Sequence, residues 1–214
     1  MVYRPYTDMI SNLYRAPLIN SYIRVLHASP NTPPVDVYAN EKLIVKDLTY
    51  KSFSQYIPVI PGNYNIKIYP TGNMTSPLIN ANVYIPENMV FNVAIIGNFP
   101  NISLYPIPEP TTAQNFGQSC IRFIHLSLNA PSIDITLSDG TKLFNNISYK
   151  DITNYACLPS GTYTFQGSSA GTSNILFDIP NVKLDANNYY TIYTVGLASG
   201  TPPLEAILVS EPRL

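Results

Sequence analysis

The sequence contains few charged residues and no tryptophan. Lys, Arg, Asp and Glu together make up 12% of the 214 residues, and the net charge at pH 7 is −1. No stretch concentrates Lys and Arg. Proteins that bind nucleic acids or anionic membrane surfaces use clustered cationic groups to neutralise phosphates. The composition therefore excludes nucleic acid as a partner, and it excludes charge-driven binding to membranes.

Long hydrophobic runs are also missing. No run is longer than that of Val93–Ile96, which is far shorter than the roughly 20 apolar residues that a membrane-spanning helix needs. The first residues lack the continuous apolar core of a secretory signal. We expect no membrane insertion. Three histories fit this N-terminus: a leader that has been removed, export without one, or a protein that stays inside the cell.

Cysteine and histidine are too scarce for a metal site or a disulfide framework. The two cysteines, Cys120 and Cys157, either bridge two strands or remain small buried thiols, and we expect the thiols. Zinc sites need three or four clustered ligands, and calcium sites need six to eight oxygens. The chain has two His and thirteen scattered Asp and Glu. No phosphate loop or dinucleotide fingerprint is present, so we expect no metal and no cofactor.

A segment that occurs twice dominates the rest of the sequence. Residues 21–38 align with residues 119–136 at an offset of 98 (119 − 21). This period is too long for a solenoid unit and has the size of a small domain. The chain is therefore predicted to hold two tandem copies of one domain. The identical pairs are Ser21/Ser119, Ile23/Ile121, Arg24/Arg122, His27/His125, Ser29/Ser127, Asn31/Asn129, Pro33/Pro131 and Asp36/Asp134.

Three motifs in the first copy carry a resemblance to a known family. They are H-A-S-P at residues 27–30, P-V-D-V-Y at 34–38 and P-G-x-Y at 61–64. Together they resemble the bacterial domain-of-unknown-function family 4397, whose members often occur in tandem on exported or surface proteins. The second copy departs from the pattern, because it reads H-L-S-L and P-S-I-D-I-T. The resemblance implies a cell-surface or extracellular location and no particular reaction.

The composition of both copies is typical of β-structure. Seventeen Tyr and twenty Pro favour strands and turns over helices. Each copy divides into about eight short strand candidates, which predicts an all-β fold of two tandem immunoglobulin-like antiparallel β-sandwich domains. The predicted organisation is an N-terminal tail (1–20), domain 1 (21–107), a semi-rigid Pro-rich linker (108–118) and domain 2 (119–214).

One set of polar residues recurs in both copies and forms the candidate site. A hydrolase could use its Ser, His and Asp as a catalytic triad, but Ser29 lies only two residues after His27 and no Gly-rich elbow surrounds it. A ligand-binding set is the second hypothesis. We expect a structural role, because strand alternation places His27 on the face of Ile23 and Val25. The set comprises Arg24, His27, Ser29, Asp36, Arg122, His125, Ser127 and Asp134.

These observations predict a non-enzymatic bacterial cell-surface or envelope module. It would bind a protein or a glycan, or act as a structural spacer. Tyr50/Tyr149 and Tyr56/Tyr155 recur and either provide contact surface or pack between strands. Two alternatives remain: a hydrolase or metal-dependent enzyme that uses the repeated His, Asp and Ser sets, and a coat-type protein that self-associates through its N-terminal tail.

Overall fold

The computed structural model describes residues 20–110 and 117–211, which form sixteen strands and no helix. This described part of the chain therefore has no helix that could cross a membrane. The strands of domain 1 are β1 (Ser21–His27), β2 (Val35–Ala39), β3 (Lys42–Leu48), β4 (Ile57–Val59), β5 (Gly62–Pro70), β6 (Ile79–Ile85), β7 (Val90–Asn98) and β8 (Asn101–Glu109). The strands of domain 2 are β9 (Gln118–His125), β10 (Ile133–Leu137), β11 (Lys142–Ile147), β12 (Ala156–Pro159), β13 (Gly161–Ser169), β14 (Ile175–Leu184), β15 (Tyr189–Val195) and β16 (Glu205–Glu211).

Each domain is a sandwich of two four-stranded sheets. In domain 1 the inner sheet has the order β4-β1-β7-β8 and the outer sheet the order β3-β2-β5-β6. Domain 2 repeats this plan with β12-β9-β15-β16 as its inner sheet and β11-β10-β13-β14 as its outer sheet. The predicted pair of immunoglobulin-like sandwiches is confirmed. One parallel pair in each domain, β1–β7 and β9–β15, interrupts the otherwise antiparallel order of the described strands.

Strands of the inner sheets are buried on both faces. Along β1, Val25 packs into the core of domain 1, whereas Leu26 points the other way and packs toward domain 2. Successive side chains of a strand point to opposite faces, so a doubly covered strand must be apolar on both. The sequence of β7, V-F-N-V-A-I-I-G-N, shows this near-continuous apolar character.

The two inner sheets face each other across a buried interdomain cluster. Within it, Asn92 Nδ2 donates a hydrogen bond of 2.8 Å to the hydroxyl of Tyr193. The sheets therefore stack in the order outer, inner, inner, outer, and an apolar interface of this kind holds the domains in one arrangement. The members of the cluster are Leu26, Ala28, Ala94, Ile96, Ile107, Ile124, Leu126, Tyr193 and Val195.

The strands extend into the segment predicted as a linker. β8 runs to Glu109 and β9 begins at Gln118, so the expectation of a spacer from Pro108 onward is corrected. β8 is an edge strand, where the missing N–H of Pro108 is tolerated. The remainder of the linker, 111–116, and the tail residues 1–19 lie outside the described residues, and so does the predicted self-association through that tail.

Cys120 and Cys157 form a disulfide bond, and the expectation of two buried thiols was therefore wrong. The two residues lie directly opposite each other on β9 and β12, where Cβ atoms are close enough to bridge. Domain 1 has Tyr22 opposite Pro58 in the equivalent place. The disulfide is therefore a feature of domain 2 that the duplication does not share.

Candidate functional site

His27 and His125 are buried, and each binds the loop that follows its own strand. Both side chains have 0% exposure. Nε2 of His27 lies 3.2 Å from the carbonyl oxygen of Pro33, and Nε2 of His125 lies 3.1 Å from that of Pro131. A carbonyl oxygen only accepts, so Nε2 donates. Burial lowers the pKa of both histidines, although these hydrogen bonds act in the opposite direction. Both imidazoles are thus held neutral.

Ser29 and Ser127 fasten the same loops to the ends of β7 and β15. The hydroxyl of Ser29 donates to the carbonyl oxygen of Gly97 at 2.9 Å, and that of Ser127 donates to Gly196 at 2.7 Å. Glycine is required at both positions. Their φ angles are 100° and 87°, and an added Cβ would lie 2.4 and 2.0 Å from backbone oxygens of the next segment. Because each serine proton is directed at a carbonyl, neither serine is paired with its histidine as a nucleophile.

Asp36 and Asp134 bind backbone amides of two turns. Asp36 accepts hydrogen bonds from the N–H groups of Asp47 (2.8 Å) and Gly72 (3.3 Å). Asp134 makes the equivalent two bonds in domain 2, at 2.7 and 3.1 Å, and Lys142 Nζ lies 2.8 Å from its Oδ2. The hydrogen bond from Lys142, followed by those from the two amides, lowers the pKa of Asp134 to about 2. Both carboxylates therefore fix loop geometry.

Arg24 lies on the interdomain side of β1 and is fully engaged there. Its Nη2 and Nε atoms lie 2.8 and 3.1 Å from Oε1 of Glu109. The guanidinium packs over the rings of Phe53 and Tyr56 at 4.7 and 4.8 Å, and the Tyr56 hydroxyl donates to the second carboxylate oxygen. Burial raises the pKa of Glu109 despite the opposing effect of Arg24.

Arg122 makes the corresponding set of contacts in domain 2. Its Nη2 lies 2.7 Å from Oε1 of Glu211, its Nε donates to Thr191 at 2.9 Å, and its guanidinium lies 5.0 Å from the ring centre of Tyr155. Nη1 donates to the carbonyl oxygen of Pro108 at 2.7 Å. Pro108 belongs to β8, so this bond joins the two domains. Burial is the largest single influence and lowers the pKa of Arg122, but Glu211, Tyr155 and Tyr193 together outweigh it, so the pKa is raised.

The recurring polar residues do not converge on one site. In each domain they divide among three places: His and Ser at the loop after the first strand, Asp at the turns, and Arg at the interdomain face. Each makes hydrogen bonds within the protein. Within residues 20–110 and 117–211, no three His, Cys, Asp or Glu side chains gather closely enough to hold a metal ion. The arrangement stabilises loops and the domain pair.

The acidic partners of the two arginines, Glu109 and Glu211, were not predicted from the sequence. Glu109 was assigned to the linker, and Glu211 was not singled out. A signal was present, because Glu-Pro recurs at residues 109–110 and 211–212, an offset of 102 (211 − 109). This offset differs from the 98 of the main motif, because strand and loop lengths differ between the copies.

An apolar cavity opens between the two sheets of domain 1. It has a volume of about 600 Å³ and lies between the inner and outer sheets, with β6 and β8 on its open side. No lining side chain is charged. The polar residues that border it are Asn80, Tyr84 and Ser103, and all three are exposed. Ligand pockets commonly have volumes of about 300–1,000 Å³, so the cavity has the size of a binding site.

A family model described as a domain of unknown function, DUF4397, matches residues 21–136 and 136–213. Two matches in one chain agree with the duplication, and the resemblance seen in the three motifs is confirmed. No curated protein sequence matched this chain.

Several solved structures share a distant likeness. The carbohydrate-binding module CBMbc (family CBM26) from Eubacterium rectale Amy13K, solved with maltoheptaose, has a TM-score of 0.28 and 9% identity over 90% of this chain and 97% of its own. A streptococcal virulence factor described for α-glucan binding has a TM-score of 0.28 and 13% identity over 83% and 92%. The Bacillus anthracis TIE protein has a TM-score of 0.26 and 14% identity over 82% of this chain and 33% of its own. The chain spans about a third of that last protein. Likenesses this weak do not identify a ligand or an activity for this chain.

Proposed function

This chain belongs to the DUF4397 family, and we propose that it is a non-enzymatic binding module of the bacterial cell surface or envelope. The observation that carries the proposal is the use of the repeated polar residues. Their side chains bind loop carbonyls, turn amides and buried carboxylates of the same chain. Residues committed in this way stabilise a scaffold and are not placed to attack a substrate.

The geometry counts against the hydrolase alternative. A nucleophilic serine must give its proton to a histidine that a third group orients. Here the hydroxyls of Ser29 and Ser127 donate to backbone carbonyl oxygens. The carboxylates of Asp36 and Asp134 bind turn amides instead of an imidazole.

The disulfide supports a location outside the cytoplasm. Bridges such as Cys120–Cys157 persist in oxidising compartments and are rare in the reducing cytosol. This observation agrees with the surface location that the family resemblance implies.

The partner is a protein or a glycan that uses exposed side chains. The recurring tyrosines are poorly placed for this role, because Tyr56 binds Glu109 and Tyr50 packs against the interdomain cluster. Tyr84 is the exposed tyrosine of the described residues, with 68% of its surface accessible. Tyrosine combines a large rigid contact area with a hydroxyl group, so Tyr84 is the favoured contact residue.

The test combines turnover with binding. We expect the full-length protein to show no turnover on a panel of ester, peptide, phosphate and glycoside substrates, and to bind a glycan or protein array in a manner that Tyr84→Ala weakens. His27→Ala and His125→Ala are expected to lower the thermal midpoint without affecting any activity. Turnover that disappears in a folded His27→Ala or His125→Ala variant would overturn the proposal.

A further inference from the structure

The cavity of domain 1 has a counterpart in domain 2 that is filled by protein. Three aromatic side chains, Phe123, Phe165 and Phe177, occupy the core of domain 2. By the alignment of the two copies, the first two stand at the positions of Val25 and Ile66, both of which line the cavity. The shared fold therefore does not require this space to be empty. It is domain 1 that leaves it open.

The third aromatic position shows how domain 2 closes the space. Phe177 lies opposite Gly167 across β13 and β14, whereas Ile79 lies opposite Ile68 in domain 1. A Cβ on Gly167 would lie 2.3 Å from the ring of Phe177, so the missing side chain makes room for the ring. In addition, β14 contacts β16 at the edge of the domain. In domain 1, the equivalent strands β6 and β8 both line the cavity.

The walls of the cavity favour an apolar occupant over water. They are formed mainly by Val, Ile and Leu side chains from the facing sheets, and only Asn80, Tyr84 and Ser103 carry polar side-chain atoms. A buried water needs two to four polar partners, which the inner walls do not provide. An empty apolar cavity, in turn, destabilises a protein increasingly as its volume grows.

The shape of the space selects among apolar ligands. The facing sheets of a sandwich lie about 10 Å apart. The lining follows β6 from Ile79 to Ile85, which at about 3.3 Å per residue spans about 20 Å. The space is therefore longer along the strands than across the sheets, and an extended hydrocarbon chain fits such a slot. No charged side chain borders the space, so its edge suits an uncharged head group better than a carboxylate.

We propose that domain 1 binds a single acyl chain of a neutral lipid between its two sheets, with the head group at the edge between β6 and β8. The chain enters past Ala81 and Leu104, which are partly exposed residues of that edge. This site goes beyond the proposed protein or glycan contact and stands on the cavity alone. Each proposal can therefore fail without the other.

The experiment uses the full-length protein and monopalmitoylglycerol as the probe, with binding measured by calorimetry below the aggregation concentration of the lipid. We expect saturable binding of one molecule per chain. Palmitate is expected to bind at least tenfold more weakly, because the edge offers no cation for its carboxylate. Equal binding of both probes would overturn the head-group assignment.

The decisive variant copies the filled core of domain 2 into domain 1. Ile68→Gly with Ile79→Phe places a ring where the acyl chain would lie, and we expect at least a tenfold loss of affinity. Ile79→Leu keeps the volume and should bind as the wild type does. If the double variant fails to fold, Ala81→Phe provides a second blocked cavity. A folded variant with a blocked cavity that still binds with wild-type affinity would overturn the site. The site would also be overturned if the wild type did not bind the lipid, which is the result expected if a segment of the chain itself fills the cavity.

Discussion

The two domains share their hydrogen bonds but differ in how they fill their cores. His27 and His125 bind equivalent loop carbonyls, and Asp36 and Asp134 bind equivalent turn amides. The cores instead contain aliphatic side chains and a cavity in domain 1, and three phenylalanines in domain 2.

This difference separates what the fold requires from what it tolerates. A buried polar group that loses its partner is left unsatisfied, and this destabilises the native state by about 1–3 kcal/mol. Core residues can exchange volume with one another when the pattern of apolar positions is preserved. The polar loops are therefore held in common by the copies, whereas the core volume and the disulfide have diverged.

Removal of an aromatic filler from domain 2 should have the largest effect on stability. Phe177→Ala deletes a ring that stacks on Phe123 and covers Gly167. We expect a loss of about 3–5 kcal/mol in the free energy of unfolding, measured by urea denaturation. The matched variant in domain 1, Ile79→Ala, removes a partly exposed side chain beside an existing cavity. Its loss should stay below about 2 kcal/mol, and equal losses would contradict the contrast between the cores.

Loss of the disulfide should have the second largest effect. The bridge closes a sequence separation of 37 residues, and bridges of this kind stabilise small domains by about 2–4 kcal/mol. We expect Cys120→Ser with Cys157→Ser to lower the free energy of unfolding by that amount. Reductant should lower the stability of the wild type to the same level and leave the double variant unchanged. If the free energy of unfolding of the wild type is the same with the disulfide intact and with it fully reduced, the bridge adds no stability.

Acid should destabilise the protein through both histidines. Their pKa values are lowered in the folded state by burial, whereas a histidine in the unfolded chain titrates at about pH 6.5. Below about pH 6.5 the unfolded chain binds more protons than the folded protein does. The free energy of unfolding therefore keeps its full value above this pH and decreases as the pH falls toward the pKa of the folded histidines. His27→Gln and His125→Gln should each flatten the decline in the thermal midpoint between pH 8 and pH 5.

The same variants also compare the domains at neutral pH. Nδ1 of His125 accepts a hydrogen bond from the N–H of Ser127 at 3.3 Å. Nδ1 of His27 has no partner among the described residues. His27→Gln should therefore be the milder substitution at pH 8. Parallel pH profiles for the wild type and both variants would show that the histidines do not titrate as described.

The sequence predicted the strands and the duplication because these depend on local pattern. The alternation in Tyr64–Tyr69 and the repeat around His27 and His125 are visible without knowledge of the partner strands. The pairing of Cys120 with Cys157 depends on strand register, which alternation alone does not fix. The expected thiols were wrong for this reason.

Two other features depended on contacts between residues far apart in the chain. The interdomain cluster requires both faces of β1 and β7 to be covered, and an apolar run does not state which domain covers its second face. The cavity arises from the summed volumes of facing side chains. Val25 and Ile66 line it in domain 1, whereas the larger Phe123 and Phe165 stand at the equivalent positions of domain 2. A comparison of side-chain sizes between the copies was the available signal.

The smallest effect is expected at the exposed rim of the interdomain face. Lys51 Nζ lies 3.0 Å from Glu205, and the two side chains are 44% and 35% exposed, so their attraction is screened by water and salt. Lys51→Ala should lower the free energy of unfolding by less than about 1 kcal/mol, and this loss should become smaller in high salt.

The control is Lys150→Ala at the equivalent position of domain 2. This substitution removes a side chain packed over Tyr149 but keeps the hydrogen bond that the Tyr105 hydroxyl donates to the carbonyl oxygen of residue 150. Both variants should still unfold in one transition, because the buried cluster and the Asn92–Tyr193 bond hold the domains together. Two separate transitions in Lys51→Ala would show instead that the rim couples the domains.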